Sequence, residues 1–312
     1  MSTKDRLPTT LLEAARYFAD LDVATEFVAR LRWPEGPICP DCGGQDHGYI
    51  KTRRLWKCKN KTCRRQFSVK VGTIFEDSAI PLDKWLCSIW LIANAKNGVS
   101  SHELARSIGI TQKSAWFVLH RVRLAMQTGS FDRLSGEVEV DETFIGGKAR
   151  NMHQHIRARK IKSPGGNDKA KVLGMVERGG RARAMIVPDT RRQSLAPRVL
   201  GNVARGSAVY TDALPSYTGL EAAYDHETVD HAVEYVRGQV HTNTIENFWS
   251  LLKRGLKGTY VSVEPFHLFR YLDEQVYRFN ARKDDDLGRF AGVLGMVAGR
   301  RLTWDGLTGK RH

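Results

Sequence analysis

The sequence predicts a multidomain α+β chain: a four-cysteine metal-binding ribbon, then a helical segment, then a mixed α/β domain. Three observations carry this reading. Four of the five cysteines, Cys39, Cys42, Cys58 and Cys63, fall in the pattern C-x2-C-x15-C-x4-C. Between Ile80 and Gln127 the apolar residues recur at helical spacing. From Gly136 onward the texture turns to strict alternation, beginning with Glu137-Val-Glu-Val-Asp-Glu-Thr-Phe. The expected boundaries are 1–78 for an N-terminal helical segment plus ribbon, 79–134 for the helical region, 135–283 for the α/β domain and 284–312 for a C-terminal tail.

Two close cysteine pairs separated by a dozen to twenty residues have the spacing of a four-cysteine zinc ribbon. The Cys-Pro-x-Cys turn at Cys39–Cys42 brings two thiolates to one side, with Gly43 and Gly44 after it, and a second turn supplies Cys58 and Cys63. Four cysteines close the tetrahedron, so the Zn2+ is structural. The competing arrangement, two disulfides, belongs to oxidising compartments. The N-terminus Met-Ser-Thr-Lys-Asp-Arg has no apolar secretory segment, so a cytoplasmic chain with reduced thiols is expected. His47 to Thr52 and Leu55 to Lys57 read as short strands, followed by strands at Phe67 to Lys70 and Gly72 to Phe75. Cys87 lies in an apolar run and reads as a core residue. Upstream, Leu11 to Leu31 reads as one or two helices packed on the ribbon, ended by Trp33-Pro34.

Pro81 opens a helix reaching about Ala95, and Asn97-Gly98 marks a turn. Ser100 or Ser101 caps a short helix that stops at Gly109, and Thr111 caps Gln112 to Met126. Helix, glycine turn, helix is a helix-turn-helix pattern. In that arrangement Gln112, Lys113, Ser114 and Trp116 open the recognition helix, where base or phosphate contacts would lie. The neighbouring zinc module with Arg106, Arg121 and Arg123 favours DNA contact, with Arg121 and Arg123 expected among the DNA-binding residues. The plainer alternative is a helical hairpin that only packs.

In the last half, strands are expected at Glu137–Phe144, Lys171–Glu177, Arg183–Val187 and Ser207–Asp212, with a fifth near Thr228 or Val233. Helices are expected at Arg192–Val203, as a short turn of helix after Pro215, and at Asn243–Lys253 and Pro265–Asn280. The order β-β-β-α-β-α-β-α is that of an RNase H-like fold. Asp141 sits within its first strand, Asp212 ends the fourth, and Glu246 sits early in the helix after the fifth. Lys253 follows Glu246 by seven residues, two helical turns on the same face. Three carboxylates suit two Mg2+ (or Mn2+) ions, which activate an attacking oxygen and stabilise a leaving one in phosphodiester chemistry. Lys253 would hold the DNA backbone as a point charge, with Arg254 and Lys257 beside it. Each carboxylate has an ordinary alternative: a turn or cap at Asp212, a solvated strand edge at Asp141-Glu142, an exposed helix position at Glu246. The ordered trio with Lys253 is what points to chemistry. His241 reads as a structural or substrate-contacting histidine. The basic run from Arg150 to Lys162 reads equally as a solvated loop or a DNA clamp.

The segments Val140-Asp-Glu-Thr-Phe-Ile-Gly-Gly-Lys, Tyr210-Thr-Asp and His241-Thr-Asn-Thr-Ile-Glu-Asn-Phe-Trp-Ser-Leu-Leu-Lys-Arg-Gly-Leu-Lys-Gly-Thr-Tyr resemble the IS1595-family transposases of the ISXO2-like group. Leu268-Phe-Arg-Tyr-Leu-Asp-Glu and Arg278-Phe-Asn-Ala-Arg continue the resemblance, which covers nearly the whole chain because that family also begins with a zinc ribbon. It implies a DDE-type transposase that cleaves and joins DNA at insertion-sequence ends, with insertion-sequence terminal repeats and target DNA as partners and a homo-oligomer in the synaptic complex. Asp141 and Asp212 match the first two acidic positions. The third varies in the family between Asn, His and Glu; Glu246 has the right spacing to Lys253 and is expected there, with Asn243 held as a second ligand or phosphate contact and His241 as the remaining candidate.

Composition agrees. The chain has 312 residues and a net charge of +15, which points to a polyanionic partner. No run approaches the ~20 apolar residues of a membrane span. A transcription regulator, with ribbon and helix-turn-helix but no catalysis, is the competing function; the ordered acidic trio argues against it. A resolvase or RNase H would cut without joining strands.

Overall fold

The computed structural model describes residues 7–127, 132–146, 154–155, 169–229 and 241–309. The first elements in chain order are α1 (Leu11–Tyr17), α2 (Leu21–Arg32), β1 (His47–Ile50), β2 (Leu55–Cys58), β3 (Gln66–Phe67), α3 (Leu82–Asn94), α4 (Ser101–Ile108) and α5 (Gln112–Met126). There follow β4 (Glu137–Ile145), β5 (Ala170–Glu177), β6 (Ala182–Val187), α6 (Arg192–Asn202), β7 (Ala208–Asp212), β8 (Asp225–Val229), α7 (Asn243–Gly255), α8 (Leu268–Asn280), α9 (Asp286–Gly295) and α10 (Trp304–Thr308). They form two compact units, Met1–Gln127 with Ala281–His312, and Thr128–Asn280.

In the first unit, β1, β2 and β3 form an antiparallel sheet in that order. Gly43, at φ +69, closes the first knuckle, its N–H donating to the Cys39 carbonyl at 2.9 Å. The Sγ atoms of Cys39 and Cys63 are 3.6 Å apart, as are those of Cys42 and Cys58. A disulfide needs about 2.0 Å. Four sulfurs at about 2.3 Å from one tetrahedral Zn2+ sit about 3.8 Å from each other, so this set fits Zn2+ and not two disulfides. The expected strand at Gly72–Phe75 is absent. Gly72 has φ +71, the Thr73 hydroxyl donates to the Lys70 carbonyl at 2.6 Å, and Ile74 N–H donates to Val297. Its β-branched residues find a backbone partner near the C-terminus instead of in the ribbon sheet.

Ser100 and Thr111 cap α4 and α5 through Glu103 N and Ser114 N, and Gly109 takes φ +64 between them. Trp33 stands edge-on to Trp56 and Phe67, joining the end of α2 to the ribbon. The residues expected as a tail fold back. Phe290 of α9 packs against Phe18, Phe27 and Trp90, with ring centroids 5.0 to 6.3 Å apart. Within α9, Phe290, Val293 and Leu294 are buried. The arginines at 121 and 123 are also corrected. Arg121 is 4% exposed and donates to the carbonyls of Ile74, Glu76 and Leu302; Arg123 is 1% exposed. Both are core cations and offer no surface to DNA.

The second unit is a five-stranded sheet in the order β6-β5-β4-β7-β8. β5 runs antiparallel to β4 and β6, while β7 is parallel to β4 and β8 parallel to β7. Alternation assigns the faces. Val138 and Val140 of β4 and Leu173 and Met175 of β5 pack with Leu195, Val199 and Val203 of the α6 region. Val172 and Val176 pack with Ile245, Phe248, Trp249 and Leu252 of α7 and with α8. Each fully buried aliphatic side chain contributes about 1.5–3 kcal/mol, so both helical layers are held mainly by apolar burial.

Chelation, or Cys58→Ser, is expected to melt the ribbon sheet; one zinc per chain by elemental analysis, and loss of near-ultraviolet circular dichroism from Trp33 and Trp56 on chelation, are the measurements.

Candidate active site

The same alternation turns Glu139 and Asp141 toward α7 and Glu142 toward the opposite face. Glu139 is fully buried. Its Oε2 accepts from the Ile245 N–H at 2.9 Å and its Oε1 from the Thr244 hydroxyl at 3.0 Å, both in the first turn of α7. Arg178 Nε donates to Oε1 at 2.8 Å, and the same guanidinium donates to the His241 carbonyl at 2.8 Å. Thr242, the N-cap residue, makes no side-chain cap bond. A carboxylate from the central strand therefore caps α7 from across the domain, where the helix N-terminus favours negative charge.

β4 and β7 stay paired only as far as Glu139↔Tyr210. Beyond that, β4 remains paired with β5 to Ile145↔Ala170, and β7 with β8 to Asp212↔Val229. Asp141, Glu142 and Asp212 stand where the two parallel strands are no longer bonded to each other. One carboxylate oxygen from each lies within 4.8 Å of the other two. Trp249 Nε1 donates to Asp141 Oδ2 at 2.9 Å, and Tyr217 Oη donates to Glu142 Oε1 at 2.6 Å. Asp212 Oδ1 accepts from the Leu214 N–H at 3.2 Å, a turn that holds the end of β7. A cavity of about 550 Å³ opens here, lined by Asp141, Glu142, Thr143, Glu246, Trp249, Ser250, Lys253, Arg254 and Lys257.

Burial raises the Asp141 carboxyl to about 6, against the indole bond and with the help of the Asp212 charge. Burial likewise raises Glu142 to about 7, against the Tyr217 hydroxyl and with the charges of Asp212 and Asp141 adding. Tyr217 is pushed well above its ordinary value by burial and by Glu142, so it stays a donor. Carboxylates that crowd one another in this way suit a hard divalent cation, and an all-oxygen donor set fits Mg2+ or Mn2+.

The expected residues separate into those that meet here and those that do not. Asp141, Glu246, Lys253, Arg254 and Lys257 line the cavity, and Asp212 stands within ligand reach of Asp141. The tightest carboxylate set includes Glu142 in place of Glu246. Asn243 opens α7 exposed and is not among the lining residues. His241 Nδ1 lies 3.3 Å from Glu139 Oε1, so it belongs to the capping network. At the start of α5, Gln112 and Lys113 are exposed, with Lys113 Nζ 4.6 Å from the Trp304 ring. Ser114 is half-buried. Apart from Gln154 and His155, the basic run at 150–162 lies outside the described residues. Glu142, Tyr217, Trp249, Glu139 and Arg178 were not singled out from sequence. Gly174, a glycine inside an apolar strand, was the available signal for a close approach.

Residues 133–280 match the ISXO2-like transposase domain, and residues 21–66 match the transposase zinc-ribbon domain. The chain is 30% identical over 246 residues to an uncharacterized protein in transposable element ISH50 of Halobacterium salinarum, covering 75% of this chain and 82% of that one. The chain belongs to the IS1595 family of ISXO2-like transposases. It is also 31% identical over 97 residues to an uncharacterized transposase-like protein of Haemophilus influenzae, which covers 31% of this chain and 78% of that one. Within this transposase-family chain, the four cysteines lie inside the zinc-ribbon match, and Asp141, Glu142, Asp212, Glu246 and Lys253 inside the transposase match. No helix among the described residues is long and apolar enough to cross a membrane.

The buried charges give two expected outcomes. Glu139→Ala removes the cap of α7 and leaves Arg178 with Glu137 at 3.4 Å as its remaining carboxylate, and is expected to destabilise the α/β unit by about 1–2 kcal/mol or more, read from urea unfolding. Asp141 and Glu142 titrate at about 6 and about 7 in the folded chain and near 4 when unfolded. The folded state therefore holds protons that the unfolded chain has released, and the stability from these two groups falls as pH rises through this window. A cation that replaces those protons reverses the loss. Mn2+ is expected to raise the melting temperature more at about pH 7.5 than at about pH 5.5 in differential scanning calorimetry.

Proposed function

We propose that this chain is a DDE-type transposase that binds insertion-sequence ends and catalyses divalent-metal-dependent DNA cleavage and strand transfer. The observation that carries the reading is an acidic cluster at the parting of β4 and β7, rimmed by Lys253, Arg254 and Lys257 in one cavity. The strand order, with an antiparallel β5 and parallel β7 and β8, supports an RNase H-like domain. The α4–turn–α5 geometry, with Gln112 and Lys113 exposed, supports a helix-turn-helix that reads the terminal repeats alongside the zinc ribbon.

Divalent cations, when bound, activate the attacking oxygen and stabilise the leaving one. Asp141 and Asp212 would hold them, with Glu246 or Glu142 completing the set. Lys253, Arg254 and Lys257 draw the DNA phosphates toward carboxylates that would otherwise repel them. In the first step a water oxygen bonds to phosphorus and the P–O3′ bond breaks, leaving a 3′-hydroxyl on the element end. In the second, that 3′-oxygen bonds to a target phosphorus, and the target's own 3′-oxygen leaves with a proton. No bond to the protein forms.

The test uses zinc-loaded full-length protein and a duplex carrying the element's terminal repeat. Mg2+-dependent nicking followed by joining to a second duplex is the expected result, with Asp141→Asn and Asp212→Asn lowering it by three orders of magnitude or more while binding persists. Binding without nicking would favour a regulator, and nicking without joining a simple nuclease. Comparing Glu246→Gln with Glu142→Gln identifies the third ligand: the ligand variant loses cleavage, and the other retains it to within about tenfold.

A further inference from the structure

The site contains an aromatic side chain that the chemistry above does not use. Trp249 lies on α7 three residues after Glu246 and four before Lys253, so all three share one helix face. Its indole N–H donates to Asp141 Oδ2 at 2.9 Å, and the side chain is 4% exposed. The ring reaches the strand through a gap made for it. Gly174 stands directly across from Asp141 in the β4–β5 ladder. A Cβ on Gly174 would lie 2.4 Å from the indole Cζ2 and 2.6 Å from Cη2, distances that no side chain tolerates. The missing Cβ and the indole bond are independent features that meet at one carboxylate.

Aspartate χ2 is a broad torsion, so an unheld carboxylate samples many orientations. A donor fixed on Oδ2 selects one of them. We propose that Trp249, seated in the Gly174 notch, is a positioning residue that fixes the Asp141 carboxylate for cation binding and couples it to the helix bearing Glu246 and Lys253. The proposal rests on the metal-dependent reading of the site. It assigns to Trp249 the role that hydrogen-bond donors behind a ligand play in metal sites generally, where their loss costs about 10–100-fold in affinity. Packing alone would explain a buried tryptophan at position 249. It would not explain a donor aimed at the ligand, since phenylalanine fills a similar volume without an N–H.

Trp249→Phe separates these roles. α7 remains seated through the Glu139 cap and the burial of Ile245, Phe248 and Leu252, so the variant is expected to fold. The experiment titrates Mn2+ into zinc-loaded full-length protein, following free Mn2+ by electron paramagnetic resonance, and measures nicking across the same Mn2+ range. Trp249→Phe is expected to raise the half-saturating Mn2+ concentration about tenfold or more, with nicking largely restored at saturating metal. Gly174→Ala, which displaces the indole without altering any charged group, is expected to shift the Mn2+ titration in the same direction. An unchanged half-saturation in a folded Trp249→Phe protein, with only the maximal rate or the melting temperature lowered, would make Trp249 a packing residue and overturn the proposal. A wild-type chain that binds no Mn2+ overturns the metal reading and this role with it. A wild-type chain that binds Mn2+ indistinguishably from both variants overturns this role alone.

Discussion

The buried carboxylate of Glu139 governs the geometry of the second unit, because an ion in the interior is tolerated only where its partners are complete. Burial of an unpaired charge costs several kcal/mol even after relaxation. Glu139 is satisfied by the first-turn N–H of Ile245, the Thr244 hydroxyl and the Arg178 guanidinium, which itself holds the carbonyl before α7. The apolar face of α7 supplies the larger share of the binding energy, but apolar contacts slide. The capped terminus sets where along the sheet the helix begins. That in turn decides that Glu246, Trp249 and Lys253, one, two and three turns in, reach the level of Asp141.

A second constraint is topological. A parallel pair that stops pairing leaves a crevice beyond its last bonds, and in open α/β sheets ligands gather at such strand ends. Here the crevice opens after Glu139↔Tyr210, two residues before Asp141 on β4 and before Asp212 on β7. Neighbouring residues on one strand normally point to opposite faces. At the edge of a crevice both faces are reachable, so Asp141 and Glu142 converge with Asp212. Asp141 and Glu142 are each held by an aromatic donor from their own side, Trp249 and Tyr217 respectively. The net charge of +15 acquires a local meaning, since Lys253, Arg254 and Lys257 lie beside the carboxylates they must offset.

Most elements were legible in the sequence because they are strongly periodic and clearly punctuated. The first four strands of the second unit, the Gly109 turn and the caps at Ser100 and Thr111 stand within a residue or two of the expected positions. Of the two places expected for the fifth strand, β8 contains Thr228, while Val233 lies outside the described residues. The departures share one cause: partners distant in sequence. Arg121 and Arg123 look like surface cations on an amphipathic helix until carbonyls from Ile74, Glu76 and Leu302 close over Arg121. Gly72–Phe75 reads as a strand by composition, yet its partner is Val297. The apolar residues of 287–298 do not say what they pack against, and α9 takes its place because Phe290 completes an aromatic cluster begun by Phe18, Phe27 and Trp90.

By itself the sequence determined the chemistry available: four thiols at ribbon spacing, acidic residues at strand ends and a helix start, a lysine two turns on, and a family signature running through them. Those features are local, set by residue type and short spacing, and short-range physics is written directly into a chain. Only the tertiary structure decided which carboxylates share a site. Glu142 joins Asp141 and Asp212 because β4 and β7 part beneath them, His241 turns to Glu139 instead of the cavity, and Trp249 reaches Asp141 because Gly174, 75 residues before it, has no side chain. Such relations depend on strand register and helix seating, which are properties of the packed whole.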